Sequence, residues 1–159
     1  MGGFIAANLL QEESVLVLPS LTNLNAVEIG QIATELGTER KLSIAIEVRI
    51  GDWIIYHVSL PGSTPENDWW ISRKARAVML KHHSTMYESV SAQERGVDWH
   101  KENNLLDETH AIHGGGLPLI TESEGFVGAL LISGLPQVDD HLLGVEVLTE
   151  FLARKGELL

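Results

Sequence analysis

Residues 42–50 alternate strictly: Leu42, Ile44, Ile46, Val48 and Ile50 fall on one side, and Ser43, Ala45, Glu47 and Arg49 on the other. A period of two marks a strand with one face on a core. Gly51-Asp52 reverses the chain and residues 53–60 run back, so the two segments read as an antiparallel hairpin. That pairing constrains the whole fold, because parallel neighbours need a long crossover and none fits here. Residues 117–121 and 126–133 repeat the arrangement across the turn Glu122-Ser-Glu-Gly125. Residues 14–18 form a β-branched apolar run stopped by Pro19 and predict one strand more. The expectation is a single α+β domain over residues 1–159, with an antiparallel sheet of about five strands flanked by helices.

Helix signals fill the gaps. Phe4, Ile5, Leu9 and Leu10 suit a short amphipathic helix over 4–12. Asn25, with Glu28 three residues on, resembles a capping box; Ile29, Ile32, Ala33 and Leu36 follow at helical spacing until Gly37. Thr64 reads as an N-cap with Pro65 at the first helical position, where a missing N–H costs nothing. Glu66 and Asp68 suit the positive end of that helix, which should run to about Lys81; Arg73, Lys74 and Arg76 lie further along. Residues 82–106 are polar and poorly periodic, enough for a second helix and then irregular chain. Gly134-Leu-Pro-Gln137 opens a last helix with a stripe of Val138, Leu142, Val145, Leu148 and Leu152.

Charge and composition exclude several functions. Eleven Lys and Arg against 22 Asp and Glu leave a net charge of −11, the wrong sign for nucleic acid or an anionic membrane surface. The absence of cysteine removes disulfides and thiolate metal sites. With no membrane-length apolar run and no signal-peptide pattern at the start, a cytoplasmic location is expected.

His113-Gly-Gly-Gly116 matches the oxyanion element of some esterases, but Leu131-Ile-Ser-Gly-Leu135 lacks the first glycine of a nucleophile elbow. No catalytic residue follows from the sequence. With seven histidines, His110 and His113 invite a metal or haem-iron reading; the plainer expectation is a hydrogen bond from His113 to backbone at a glycine turn. Ser133-Gly-Leu-Pro-Gln137 could present amides to an anion, although Asp139-Asp140 already complement that helix end. Trp69 and Trp70 point about 100° apart on a helix, so one belongs in the core and the other at the surface. Arg73 and Lys74 suit surface ion pairs with Glu66, Asp68 or Glu47. Gly62 and the glycines at 114–116 are expected to converge on one side of the sheet.

Three blocks together resemble the HbpS/GlcG-like family, a group associated with haem binding and haem degradation: Leu60-Pro-Gly-Ser-Thr-Pro-Glu-Asn-Asp-Trp-Trp-Ile-Ser-Arg-Lys74, His113-Gly-Gly-Gly-Leu-Pro118 and Ser133-Gly-Leu-Pro-Gln-Val-Asp-Asp-His141. The resemblance covers about residues 11–152 and is strongest to a subgroup of small stand-alone proteins of unknown function. It implies a profilin-like or PAS-like sheet, a homo-oligomer, and a site for haem or a similar small planar anion, with haem-degrading activity resting on the resemblance alone. The ligand-binding candidates it implies are Pro61, Gly62, Ser63, Asn67, Arg73, His110, His113, Gly114 and Gly115, with His113 as haem-iron ligand. Where the subgroup carries Tyr three residues before His-Gly-Gly, this chain has His110. The competing expectation is an assembly or protein-interaction module with no small ligand.

Overall fold

The alternating segments do form one antiparallel sheet in the computed structural model, which describes residues 2–156. Helices α1 (Ala6–Val15) and α2 (Asn23–Glu39) precede the hairpin β1 (Ala45–Ile50) and β2 (Trp53–Ser59). Helices α3 (Pro65–Lys81), α4 (Thr85–Glu94) and α5 (Trp99–Asn103) follow, then the hairpin β3 (Gly116–Thr121) and β4 (Gly125–Ser133), and finally α6 (Gln137–Arg154). The strand order is β2-β1-β4-β3, so the two hairpins join through β1 and β4.

Among the described residues the sheet has four strands, not five. Residues expected as a first strand are the end of α1 and a single bridge, Leu18 to Thr121 at the β3 edge. Helix α1 outruns the apolar stripe that suggested it, and Pro19 has no N–H with which to extend a ladder. Leu16 and Leu18 still enter the core. The start of α2 also lies earlier than expected. Thr22 is the N-cap, and its reciprocal bonds with Asn25 (3.0 and 3.1 Å) make Asn25 the third helical residue.

The core has two layers. On one face Ile44, Ile46, Val48, Leu130 and Ile132 meet α2 and α6 through Ile29, Ile32, Val147 and Phe151. On the other, Ala45, Ala129 and Leu131 receive Ile71, Ala75 and Val78 of α3; the alanines let that helix lie close. The Ser43–Arg49 side of β1 is therefore not a solvent face: Ala45 and Glu47 are buried, Glu47 against Arg49 at 2.6 Å and His57 at 3.0 Å. In α6 Leu148 and Leu152 of the expected stripe are buried and Val138 and Val145 pack against buried clusters, while Leu142 is exposed; Leu143, Val147 and Phe151 widen the buried face. Among the described residues no helix is long and apolar enough to cross a membrane.

Register gathers the loops. Ala45 faces Ser59 on one side and Ser133 on the other, and Gly116 faces Leu131. The turn after β2, the entry to β3 and the exit from β4 thus share one end of the sheet. Further along, Gly128 of β4 faces Ile50, where a Cβ would overlap the Arg49 carbonyl oxygen. That oxygen belongs to the neighbouring backbone and cannot step aside without disturbing the ladder. Gly128→Ala is expected to cost about 1–3 kcal/mol in urea unfolding, with the fold retained by circular dichroism.

Candidate functional site

The end of the sheet that collects these loops carries a cleft of about 440 Å³ between α3 and the start of α6. Helix α3 supplies Asn67, Trp70 and Lys74, spaced three and four apart and hence on one face. Ser133 and Gly134 come from the exit of β4, Gln137 and Asp140 from the first turn of α6, and His113 from the loop before β3.

Asn67 does two jobs. Its Oδ1 accepts the Thr64 N–H at 2.9 Å and so caps α3, while its Nδ2 reaches Ser133 Oγ at 3.4 Å. Thr64 and Pro65 begin the helix as expected. Pro61, Gly62 and Ser63 build the turn that precedes it: Gly62 adopts φ +92°, where a Cβ would collide with Ser43 Oγ, and Ser63 Oγ donates to the Leu60 carbonyl at 2.6 Å. These three do not line the cleft; Pro61 borders a separate recess beside Leu42 and Leu60. Gly62 nevertheless sits at the same sheet end, because Ser43 touches it on one side and Gly134 on the other.

The floor of the cleft is a buried ion pair. Lys74, only 2% exposed, donates to the Ile132 carbonyl at 2.9 Å and to Asp140 Oδ2 at 3.3 Å. Asp140 Oδ1 accepts the Leu135 N–H at 3.0 Å, which closes the start of α6. Lys74 is not the surface charge the sequence suggested, and Asp140, expected to complement the start of α6, does so from a buried position. Burial pushes the Asp140 carboxyl up to about 6, against the pull of Lys74, and burial lowers the Lys74 ammonium, against the pull of Asp140. A raised carboxyl stabilises the fold while protonated. Its contribution is complete below the ordinary value of 3.8 and is lost as pH rises through about 6. Above that, Asp140 is an ionised buried group that depends on Lys74.

Of the three glycines, Gly115 is the one that makes room for this pair, and its neighbours make room for the chain around it. A Cβ on Gly115, which lies at φ +127°, would strike the Ile132 carbonyl, the Lys74 ammonium and Asp140. One on Gly114 would strike the Gln137 carbonyl, and one on Gly116 would crowd Val78 and Thr85. The motif removes side chains where three backbones and a lysine meet.

His113 is exposed at the cleft, its ring edge-on to Trp70 with centroids 4.7 Å apart. The expected hydrogen bond to backbone is not formed among the described residues. The loop is held elsewhere: Ala111 N–H donates to the Arg73 carbonyl at 3.1 Å, and Gly114 N–H to Gln137 Oε1 at 3.2 Å. Partial desolvation of the ring beside Trp70 lowers the His113 pKa from its ordinary 6.5, which favours the neutral imidazole. His110 is also lowered by burial, but it lies outside the cleft, where its carbonyl accepts from His100 Nε2 at 2.7 Å and its Nδ1 meets Thr109 Oγ1 at 2.8 Å.

Arg73 is buried behind the cleft. Its guanidinium lies 4.0 Å from the Trp69 ring centroid and 4.3 Å from that of Trp70, and it grips Asp107 through Nε to the carbonyl (2.7 Å) and Nη2 to the carboxylate (2.8 Å). It fixes the plane of Trp70 and anchors the 104–113 loop. Among the described residues Nη1 has no hydrogen-bond partner. Trp69 is 48% exposed, and Trp70 serves as cleft wall rather than core. Of the sequence candidates, Asn67 and His113 line the cleft, Gly114 and Gly115 shape it, Arg73 backs it, and Pro61, Gly62, Ser63 and His110 stand aside.

Removing one partner of the floor pair strands the other charge, a loss of about 3–5 kcal/mol for buried pairs. Lys74→Met at pH 8, where Asp140 is ionised, is expected to lose that much in urea unfolding. Lys74→Met combined with Asp140→Leu should recover most of it.

A sequence model described as haem degrading protein HbpS-like matches residues 21–149. A UPF0303 protein of Streptomyces avermitilis is 38% identical over 143 residues, covering 90% of this chain and 88% of that protein. A UPF0303 protein of Streptomyces coelicolor is 36% identical, covering 92% of each. Among solved structures, the Ybr137w protein superposes with a TM-score of 0.86 at 24% identity, covering 94% of this chain and 89% of that one. A PduOC–haem complex superposes at 0.68 with 17% identity over 82% of this chain and 94% of the other, and a double mutant of Streptomyces reticuli HbpS at 0.66 with 15% identity over 82% and 86%. At these identities the superpositions establish a shared fold.

Proposed function

The chain belongs to the HbpS-like family, and on that premise we propose that the cleft between α3 and α6 binds a small planar anionic ligand, with haem the first to test. The observation that carries the reading is His113: an imidazole at the cleft, set against the indole of Trp70 and biased toward its neutral form by desolvation. Neutral imidazole is the form that ligates haem iron, and an aromatic wall suits a flat macrocycle. Lys74 has three ammonium protons and gives two to Ile132 and Asp140, which leaves one for a ligand carboxylate. The volume, about 440 Å³, falls within the usual ligand-site range of roughly 300–1,000 Å³. The residues present therefore fit haem's needs for an axial nitrogen, one flat wall and one cation. The PduOC–haem complex shows that a protein of this fold holds haem.

A second reading is self-association. Strand β2 is an edge of the sheet, and it exposes Trp53 (63%) and Ile54 (47%), apolar area of the kind that a second copy would cover. A homo-oligomer in the cytoplasm is compatible with either reading.

Titration of the protein with haem is expected to give a shifted Soret band that His113→Ala abolishes and that Asn67→Ala weakens. An unshifted band would overturn the haem reading. A multimeric mass by light scattering in that case would favour the assembly reading.

A further inference from the structure

The ion pair at the cleft floor has a chemical capacity beyond holding an anion. Lys74 is one of five lysines, with Lys41, Lys81, Lys101 and Lys155, and it is the one that lines the cleft. Its amine is fixed at both the Ile132 carbonyl and the Asp140 carboxylate, and the missing side chain at Gly115 leaves it room. Asp140 reaches Lys74 with Oδ2 and is anchored through Oδ1 to Leu135, so it can exchange a proton with the amine without moving. Arg73 and Glu66 are the nearby charges: Arg73 is occupied by Asp107, and Glu66 stands at the cleft mouth.

We propose that Lys74 forms an imine with small polar carbonyl compounds, short aldehydes or 2-oxo acids, with Asp140 as its proton relay. The inference rests on the reading of the cleft as a small-molecule site and assigns it a ligand class of its own. Lys74 passes one proton to Asp140 and becomes a neutral amine. Its lone pair forms the C–N bond, the carbonyl π pair moves to oxygen, and that oxygen takes the proton back from Asp140. Asp140 next accepts a proton from the nitrogen and returns it to the hydroxyl, which leaves as water while nitrogen closes the C=N bond. One ammonium and one carbonyl yield one iminium ion and one water. The opposed shifts of the pair, Lys74 lowered and Asp140 raised to about 6, bring the two proton affinities closer than in free side chains and favour this exchange. Asn67 and Gln137, also in the lining, offer amide donors for a carboxylate beside the carbonyl.

The test is reductive trapping of the full chain with glyoxylate and cyanoborohydride at pH 7, read by peptide mass mapping. Lys74 is expected to carry the carboxymethyl adduct at least tenfold faster than the four other lysines, and haem added in excess should slow it. Asp140→Asn, where it folds, should lower the Lys74 rate by more than tenfold. Adducts on Lys41, Lys81, Lys101 and Lys155 at the rate of Lys74 or faster would overturn the proposal, as would a folded Asn variant that traps like the parent. The wild-type competition needs no variant to fold. Lys74 trapping without any haem spectrum would sink the haem reading alone, and a haem spectrum without Lys74 trapping would sink the imine alone.

Discussion

One ammonium group joins three elements of this protein. Lys74 leaves α3, bonds the backbone of β4 at Ile132, and pairs with Asp140 at the start of α6. Burying both charges carries a desolvation cost of several kcal/mol per ion before any pairing is counted. The surrounding chain is arranged to permit it. Gly115 gives up its side chain, Leu135 offers its amide to the carboxylate, and α3 approaches the sheet over alanines. An apolar pair would fill the same place with no such cost. A charge pair at the floor of an open cleft is therefore weak as a device for stability, and it suits the ligand role proposed for the cleft.

The sheet was legible because strand alternation and turn chemistry are local. Residues 42–60 and 117–133 carried their hairpins openly, and Thr64-Pro65 announced α3 to the residue. What failed depended on partners distant in sequence. Residues 14–18 look extended by composition, yet the helix before them ran on and only Leu18 found a strand to touch. The stripe expected of α6 caught Leu148 and Leu152 but passed over the inward Asp140, because an aspartate does not announce itself as buried.

The same blindness hid the site. Lys74 falls in phase with Ile71, Ala75 and Val78, all buried, and Asp140 in phase with Leu143, Gly144 and Val147. Two opposite charges on inward stripes of two helices are a signal for a buried pair that the sequence alone carries. Reading charge as surface concealed it. His113, Asn67 and the glycines, which line or shape the cleft, stood out because unusual residues cluster in short motifs. Pro61, Gly62, Ser63 and His110 belonged to the same motifs but serve the turns and loops that present the cleft.

The central claim is that Asp140 lies dry against Lys74 at the cleft floor. Carbon-13 NMR of the side-chain carboxyl, followed from pH 3 to 8, measures it without a variant. The account predicts that Asp140 titrates near 6, well above its ordinary 3.8. A midpoint at or below 4 would show a solvated carboxylate or a wholly compensated pair, and would contradict it.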